Sequence, residues 1–116
     1  MQAWDLAEID AARAAGGQPY REFLRVPNLS AGLYVLDAGA TDPQSPHTED
    51  ELYSVVAGRG AVTVGDETRE VSTGSLVFVA ATVPHRFHGI AKRLEILVVF
   101  GTAEALEADR GPGQRP

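Results

Sequence analysis

From residue 20 onward the sequence is a series of short, apolar-rich segments separated by turn residues at close intervals. Several segments alternate apolar and charged side chains, as strands with one buried face do. Gly65-Asp66 is a good hairpin turn, because Gly accepts the positive φ that tight turns need. Gly58-Arg59-Gly60 is also interpreted as a turn. Eight such segments with almost no helix pattern predict an all-β barrel or sandwich. They cover residues 20–26, 31–38, 51–57, 61–65, 67–71, 75–80, 85–89 and 93–101.

The two ends of the chain differ from this pattern. Residues 4–15 have a helical composition and end at Gly16-Gly17, which predicts one or two turns of helix or a loose N-terminal arm. The last residues are polar and contain Gly and Pro, which is typical of a flexible tail. A chain of 116 residues fits one domain. We therefore expect an arm or short helix over 1–19, a β-barrel over 20–103 and a tail over 104–116.

Composition and charge exclude several classes of function. The chain has no cysteine, so disulfides, thiolate metal sites and cysteine nucleophiles are excluded. Its net charge is −6 and its Lys and Arg residues are scattered, which argues against a nucleic-acid partner. The N-terminus is acidic without the apolar region of a secretory signal. The longest apolar run, residues 96–100, is too short to span a membrane. We expect a cytoplasmic protein with neither nucleic acid nor membrane as a partner.

One stretch, SPHTEDELYSVVAGRG at residues 45–60, places a histidine and several acids directly before an apolar strand. His47, Glu49, Glu51 and Tyr53 share parity, so an extended chain would put them on one face. An imidazole and a carboxylate inside a barrel are costly unless they pair or bind something. A transition metal ion would satisfy both, because imidazole and carboxylate suit such ions. The alternative is an acidic, solvated loop.

A metal site would need a second imidazole, and the chain has 3 histidines in all. His85 shares parity with the apolar Phe87, whereas His88 shares parity with Arg86. In a strand, residues of one parity lie on one face. We therefore expect His85 to point inward and His88 to lie at the surface.

These positions resemble the first motif of the cupin superfamily, a group of small β-barrels. The family pattern is G-x5-H-x-H-x3-E-x6-G, and this chain keeps every spacing from Gly39 to Gly58. His47 occupies the second histidine position and Glu51 the glutamate position. Ser45 stands where the pattern has its first histidine.

The second family motif, G-x5-P-x-G-x2-H-x3-N, is matched less fully. It begins at Gly74 and has His85 in its histidine position, but its Pro, Gly and Asn are replaced by Ala80, Thr82 and Gly89. The resemblance covers about residues 30–100. It implies a cupin-type double-stranded β-helix, or jelly-roll barrel, with a short N-terminal helix or arm.

The resemblance also implies a set of metal ligands. A full cupin site has three histidines and one glutamate, and neutral serine is a poor substitute for an imidazole at position 45. The neighbouring Gln44 has a carbonyl oxygen that could reach in. The implied ligands are thus His47, Glu51 and His85, with Gln44 as a candidate fourth. The implied cofactor is a divalent transition metal such as Fe, Mn, Ni, Co or Zn.

Other side chains near this motif have weaker assignments. Tyr53 is a candidate catalytic residue, because it shares the face of Glu51 and could place its hydroxyl near a bound ligand. Glu49 is expected to be a solvated acid and a reserve ligand, and Asp50 is expected to be exposed. The aromatic residues expected in the core or in a pocket wall are Tyr34, Tyr53, Phe78, Phe87 and Phe100.

The family resemblance implies a class of site rather than one reaction. One hypothesis is a metal-dependent enzyme that binds a small oxygen-bearing substrate in the barrel for dioxygenase or isomerase-type chemistry. The alternative is a non-catalytic small-molecule-binding cupin with a structural or absent metal. Small cupins commonly pair through their outer strands. The apolar segments 20–26 and 93–100 offer such surfaces, so we expect a homodimer.

Overall fold

The strands of this protein pair in antiparallel order within one sheet that wraps into a double-stranded β-helix. The computed structural model describes residues 1–101. Its sheet order is β1-β2-β6-β3-β4, and β5 pairs with β3. The elements are α1 Leu6–Gly16, β1 Tyr20–Val26, β2 Leu29–Leu36, β3 Asp50–Val64, β4 Glu67–Ser72, β5 Leu76–Val79 and β6 His85–Gly101.

Strands β3 and β6 are long, and each joins two segments that the sequence pattern separates. The interpretation of Gly58-Arg59-Gly60 as a turn is wrong, because these residues lie inside β3. Register shifts between Val55 and Ala61 let β3 bend while it remains paired with β6, as β-bulges do. Gly58 has φ of 98°, and a Cβ there would overlap the carbonyl oxygen of Arg93. Glycine therefore permits close contact between two strands here.

The barrel interior is filled by apolar side chains from most of the strands. Of the five aromatic residues expected in the core or in a pocket wall, Tyr34, Tyr53, Phe87 and Phe100 are at most 1% exposed. Phe78 is not in the core, since its side chain is 61% exposed, but it lines a surface pocket with Val77 and Arg69. Burial along β5 alternates, so Phe78 lies on the outer face of the sheet.

Helix α1 packs against the outside of β2. Its Ile9 forms a small apolar cluster with Leu33, Val35 and Phe23. The helix is longer than the one or two turns predicted, and it ends before Gly17, which has φ of 70°. Gly favours such a helix end because it has no Cβ to clash. The predicted tail, 104–116, lies outside the described residues.

The described part of the chain, residues 1–101, contains no helix long and apolar enough to cross a membrane.

Candidate metal centre

Three buried side chains from distant parts of the sequence meet at one point inside the barrel. His47 precedes β3, Glu51 lies near the start of β3, and His85 begins β6. His85 Nε2 lies 3.0 Å from Glu51 Oε2, and His47 Nε2 lies 3.9 Å from Glu51 Oε1. One ligand atom from each residue lies within 4.8 Å of the other two. The exposed fractions of His47, Glu51 and His85 are 5%, 1% and 6%.

Gln44 lies beside the cluster, next in the chain to Ser45, where the family motif has a histidine. Ser45 is exposed to solvent, whereas Gln44 is half-buried. Gln44 Oε1 lies 3.0 Å from His85 Nε2 and accepts a hydrogen bond of 2.8 Å from the Tyr53 hydroxyl. The structure thus brings Gln44, and not Ser45, to the cluster.

The imidazole of His85 is held in one orientation. Its Nδ1–H donates to the main-chain carbonyl of Val83 at 2.8 Å, so Nε2 faces Glu51 and Gln44. Burial alone would lower the pKa of His85. The hydrogen bond to Glu51, the contact with Val83 and the charge of Glu51 together outweigh burial and raise this pKa. Metal-binding histidines commonly have this arrangement, in which a hydrogen bond at one ring nitrogen directs the other to the ion.

Residues 32–100 match the cupin domain family, Cupin_2. This chain belongs to the cupin family. A protein of Streptomyces coelicolor, the uncharacterized SCO3923, is 53% identical over 105 residues, which cover 90% of this chain and 100% of that protein.

Solved structures share the cupin fold at low sequence identity. The cupin domain of Schizosaccharomyces pombe Cnp3 superposes with a TM-score of 0.70 at 19% identity, covering 79% of this chain and 66% of that one. The protein TT1209 from Thermus thermophilus gives a TM-score of 0.68 at 23% identity, with coverages of 87% and 97%. KdgF from a Halomonas species gives a TM-score of 0.66 at 21% identity, with coverages of 74% and 79%.

In this cupin, Tyr53 lies beside the cluster as a hydrogen-bond donor. Its hydroxyl is 2.8 Å from both Glu51 Oε1 and Gln44 Oε1. A phenol has one proton, so the two oxygens share it. Burial, followed by the charge of Glu51, raises the pKa of Tyr53. The hydroxyl therefore stays protonated, which suits it to orient Glu51 and Gln44 rather than to accept a proton.

Two acids near the cluster are placed differently from expectation. Glu49 is 5% exposed, so its prediction as a solvated acid is wrong. Among the described residues it is not one of the converging ligands. The charge of Glu49 acts instead on Arg25. The pKa of Arg25 is raised, chiefly by its hydrogen bond with Glu22 and to a smaller degree by the charge of Glu49. Asp50 is half-buried rather than exposed, and its carboxylate accepts from the main-chain N–H of Ala81 at 2.8 Å.

The third histidine of the chain lies outside the cluster. His88 is half-buried rather than fully at the surface. Its Nε2 lies 2.7 Å from Thr63 Oγ1 on the neighbouring strand. It therefore serves as a natural control for the two histidines of the site.

Sequence reasoning missed one residue behind the site, Asp42. Asp42 is only 6% exposed. Its carboxylate accepts hydrogen bonds from Tyr34, Gln44 and Phe87. No pattern in the sequence marks Asp42, because it lies in the irregular stretch between β2 and β3, where face alternation does not apply.

Proposed function

We propose that this cupin binds one divalent transition metal ion through His47, Glu51 and His85, with Gln44 as a fourth protein ligand. The observation that carries the proposal is the convergence of three buried donor atoms within 4.8 Å of one another. Burial of two imidazoles and a carboxylate is costly unless each has a partner, and a cation would partner all three at once.

The spacing of the donor atoms supports this proposal. Ligand–metal bonds of about 2.1 Å put adjacent ligand atoms about 3 Å apart and opposite ones about 4 Å apart. His85 Nε2 lies 3.0 Å from Glu51 Oε2 and His47 Nε2 lies 3.9 Å from Glu51 Oε1, so each histidine is at such a distance from one of the two carboxylate oxygens. With one ligand atom from each residue the set lies within 4.8 Å, and the side chains would move inward to close around an ion.

For the reaction class, we propose chemistry on a small oxygen-bearing molecule, of dioxygenase or isomerase type. A bound ion of this kind would supply Lewis acidity or dioxygen activation, and two-histidine–one-carboxylate sites leave coordination positions open. The chain's own residues would hold the site together. Tyr53 would orient the oxygens of Glu51 and Gln44, and the contact with Val83 would keep His85 Nε2 directed inward.

A second candidate function is non-catalytic binding of a small molecule, with a structural metal or none. One observation favours it: Glu51, Tyr53, Gln44 and His85 also contact one another through hydrogen bonds and an ion pair of 2.8–3.0 Å. Such a network offsets part of the cost of burying these polar groups without an ion.

Elemental analysis of purified protein after reloading with Mn²⁺, Fe²⁺, Co²⁺, Ni²⁺ or Zn²⁺ tests metal binding. We expect about one ion per chain in the wild type and a large loss of affinity in His47→Ala and His85→Ala, because each removes a ligand. His88→Ala is the matched control and should retain the ion. A wild type that binds no ion, or a His88→Ala variant as impaired as the others, would exclude the proposed centre.

The loaded protein then separates the two candidate functions. Oxygen consumption would be followed with a panel of small carboxylic acids and phenols, and isomerisation by NMR of the same mixtures. Turnover that disappears in His47→Ala supports the enzyme. Saturable ligand binding without turnover of any panel member supports the binding module.

We also propose that the protein forms a homodimer. The outer sheet face has an apolar patch made of Leu52, Leu76 and Phe78, which are 44%, 64% and 61% exposed. Contiguous exposed apolar patches are a feature of protein–protein interaction sites. The half-buried Leu97 and Val99 on β6 extend the patch.

A further inference from the structure

We propose that Asp42 is a positioning residue that determines which end of the Gln44 side chain faces the metal centre. This inference rests on the proposed function and adds a residue outside its ligand set. It concerns the orientation of one amide group, which the family motif does not specify because the motif has a histidine in this region.

All the hydrogen bonds that Asp42 makes in the described structure run toward it. Its Oδ1 accepts from the Tyr34 hydroxyl and from the main-chain N–H of Gln44 at 3.3 Å. Its Oδ2 accepts from the main-chain N–H of Phe87 at 2.8 Å and from the side-chain Nε2 of Gln44. An ionised carboxylate can only accept hydrogen bonds. The end of the Gln44 amide that faces Asp42 must therefore be its NH₂ group.

The opposite end of the amide then has to be the carbonyl oxygen. Oε1 of Gln44 lies 3.0 Å from His85 Nε2 and 2.8 Å from the Tyr53 hydroxyl, so it points at the side of the cluster that holds Glu51. An amide oxygen is a ligand for a cation, whereas an amide NH₂ group is not. With the amide reversed, two N–H groups would face the ion and weaken its binding.

Asp42 is itself fixed by the barrel. Tyr34 belongs to β2 and Phe87 to β6, so each of the two carboxylate oxygens is held by a donor from a different strand. Neither donor belongs to the metal centre. The orientation of Gln44 is therefore established before any ion binds, which lowers the cost of organising the site.

The test measures the dissociation constant of Mn²⁺ by titration of purified protein. We expect Gln44→Leu and Asp42→Ala each to weaken binding, and Asp42→Ala by about 10- to 100-fold, as is usual for residues behind a ligand. The double variant should bind no more weakly than Gln44→Leu, because the orientation of an absent oxygen has no effect. If Asp42 only stabilised the fold, the loss of Mn²⁺ affinity in Asp42→Ala would instead add to the loss in Gln44→Leu.

The conservative variant Asp42→Asn is the matched control. The asparagine oxygen should take the place of Oδ2 and still accept from the main-chain N–H of Phe87 and from Gln44 Nε2. Its NH₂ group then replaces Oδ1, where the Tyr34 hydroxyl can accept from it and the 3.3 Å contact with the main-chain N–H of Gln44 is lost. We expect Mn²⁺ affinity to fall by much less than in Asp42→Ala. The visible spectrum of bound Co²⁺ gives a second readout, which should change in the same way in Gln44→Leu and Asp42→Ala and remain unchanged in Asp42→Asn.

Circular dichroism would check that each variant is folded. Should Asp42→Ala not fold, Asp42→Leu combined with Tyr34→Phe removes both partners of the buried Tyr34–Asp42 hydrogen bond, which proteins tolerate better than the loss of one, and leaves the main-chain N–H of Phe87 as the one buried donor that loses its acceptor outside Gln44. Wild-type affinity in Asp42→Ala, or additive losses in the double variant, would overturn this inference and leave the three-ligand centre standing. A wild type that binds no ion would overturn the proposed function itself, and this inference with it.

Discussion

Position 45 has no histidine, and it is the residue before it, Gln44, that contacts the cluster. Ser45 is exposed, while Gln44 reaches His85 and Tyr53. The sequence offers both residues as candidates, but it cannot choose between them. The stretch before β3 is irregular, and face alternation is a rule for extended chain. Contacts with Asp42 and Tyr53, made only in the folded barrel, determine the choice.

Parity was a better guide to the acids of this stretch than composition. His47, Glu49, Glu51 and Tyr53 are all buried, as their common parity predicts. Glu49 was expected in solvent because acids usually are, and that general rule was wrong here. His85 was selected over His88 by the same parity argument, and it is His85 that meets Glu51. The alternation of side chains along the strand could not predict which of the two buried acids, Glu49 or Glu51, lies next to the histidines.

A single substitution at position 44 should change the metal preference of the site. Gln44→His replaces an oxygen ligand with an imidazole of similar reach. Imidazole suits Zn²⁺ and Ni²⁺, whereas carbonyl oxygen suits Mn²⁺. We expect the ratio of Zn²⁺ to Mn²⁺ affinity to rise by about tenfold, which corresponds to about 1.4 kcal/mol. Competition titrations measure this ratio, and Ser45→His provides the comparison. An equal or larger shift in Ser45→His would mean that position 45, and not 44, faces the ion.

Among the structural elements, β3 and β6 depart furthest from the sequence pattern. The other strands were predicted within about two residues, because their ends coincide with turn signals. Gly58 and Gly60 resemble a turn signal, yet β3 continues through them with register shifts. A local pattern cannot distinguish a glycine that reverses the chain from one that admits a neighbouring strand. That distinction depends on β6, which follows much later in the chain.

Gly58 should be far more sensitive to substitution than a turn glycine. Gly58→Ala puts a Cβ into the Arg93 carbonyl and also needs a positive φ of 98°. Strain of about 1–2 kcal/mol and overpacking of about 1–3 kcal/mol should add. Gly74→Ala has φ of 95° but no atom within 4 Å, so only the strain applies. Urea unfolding gives both free energies of unfolding. Equal losses would show that close strand contact does not restrict position 58.

The outer face of the sheet has two parts, one covered by helix α1 and one exposed to solvent. Leu33 of β2 packs under helix α1 with Ile9. On the neighbouring strand β6, Leu97 lies opposite Leu33. Beyond β6 the outer face continues into the exposed apolar patch of Leu52, Leu76 and Phe78 on β3 and β5. The helix therefore covers one part of the outer face and leaves an apolar part uncovered.

The patch changes the prediction of which surface pairs in the homodimer. The sequence favoured segments 20–26 and 93–100, yet the largest exposed side chains of the patch lie on β3 and β5. Leu52 stands opposite Phe78 on one side and Val99 on the other. A flat apolar row of this kind is suited to pack against its own copy around a two-fold axis. Segment 93–100 thus stays in the proposed interface, while segment 20–26 does not.

Charge placed in the patch should therefore separate the subunits. Leu52→Asp buries a carboxylate against apolar side chains of the second copy, and an unpaired buried charge costs several kcal/mol. We expect a dimeric wild type and a monomeric Leu52→Asp variant by light scattering after gel filtration. Val26→Asp is the matched control, because Val26 is also 44% exposed but lies in segment 20–26. Because Leu52 points away from Glu51, metal content should persist in the monomer. A monomeric wild type would exclude the homodimer, and dissociation by Val26→Asp alone would move the interface to β1.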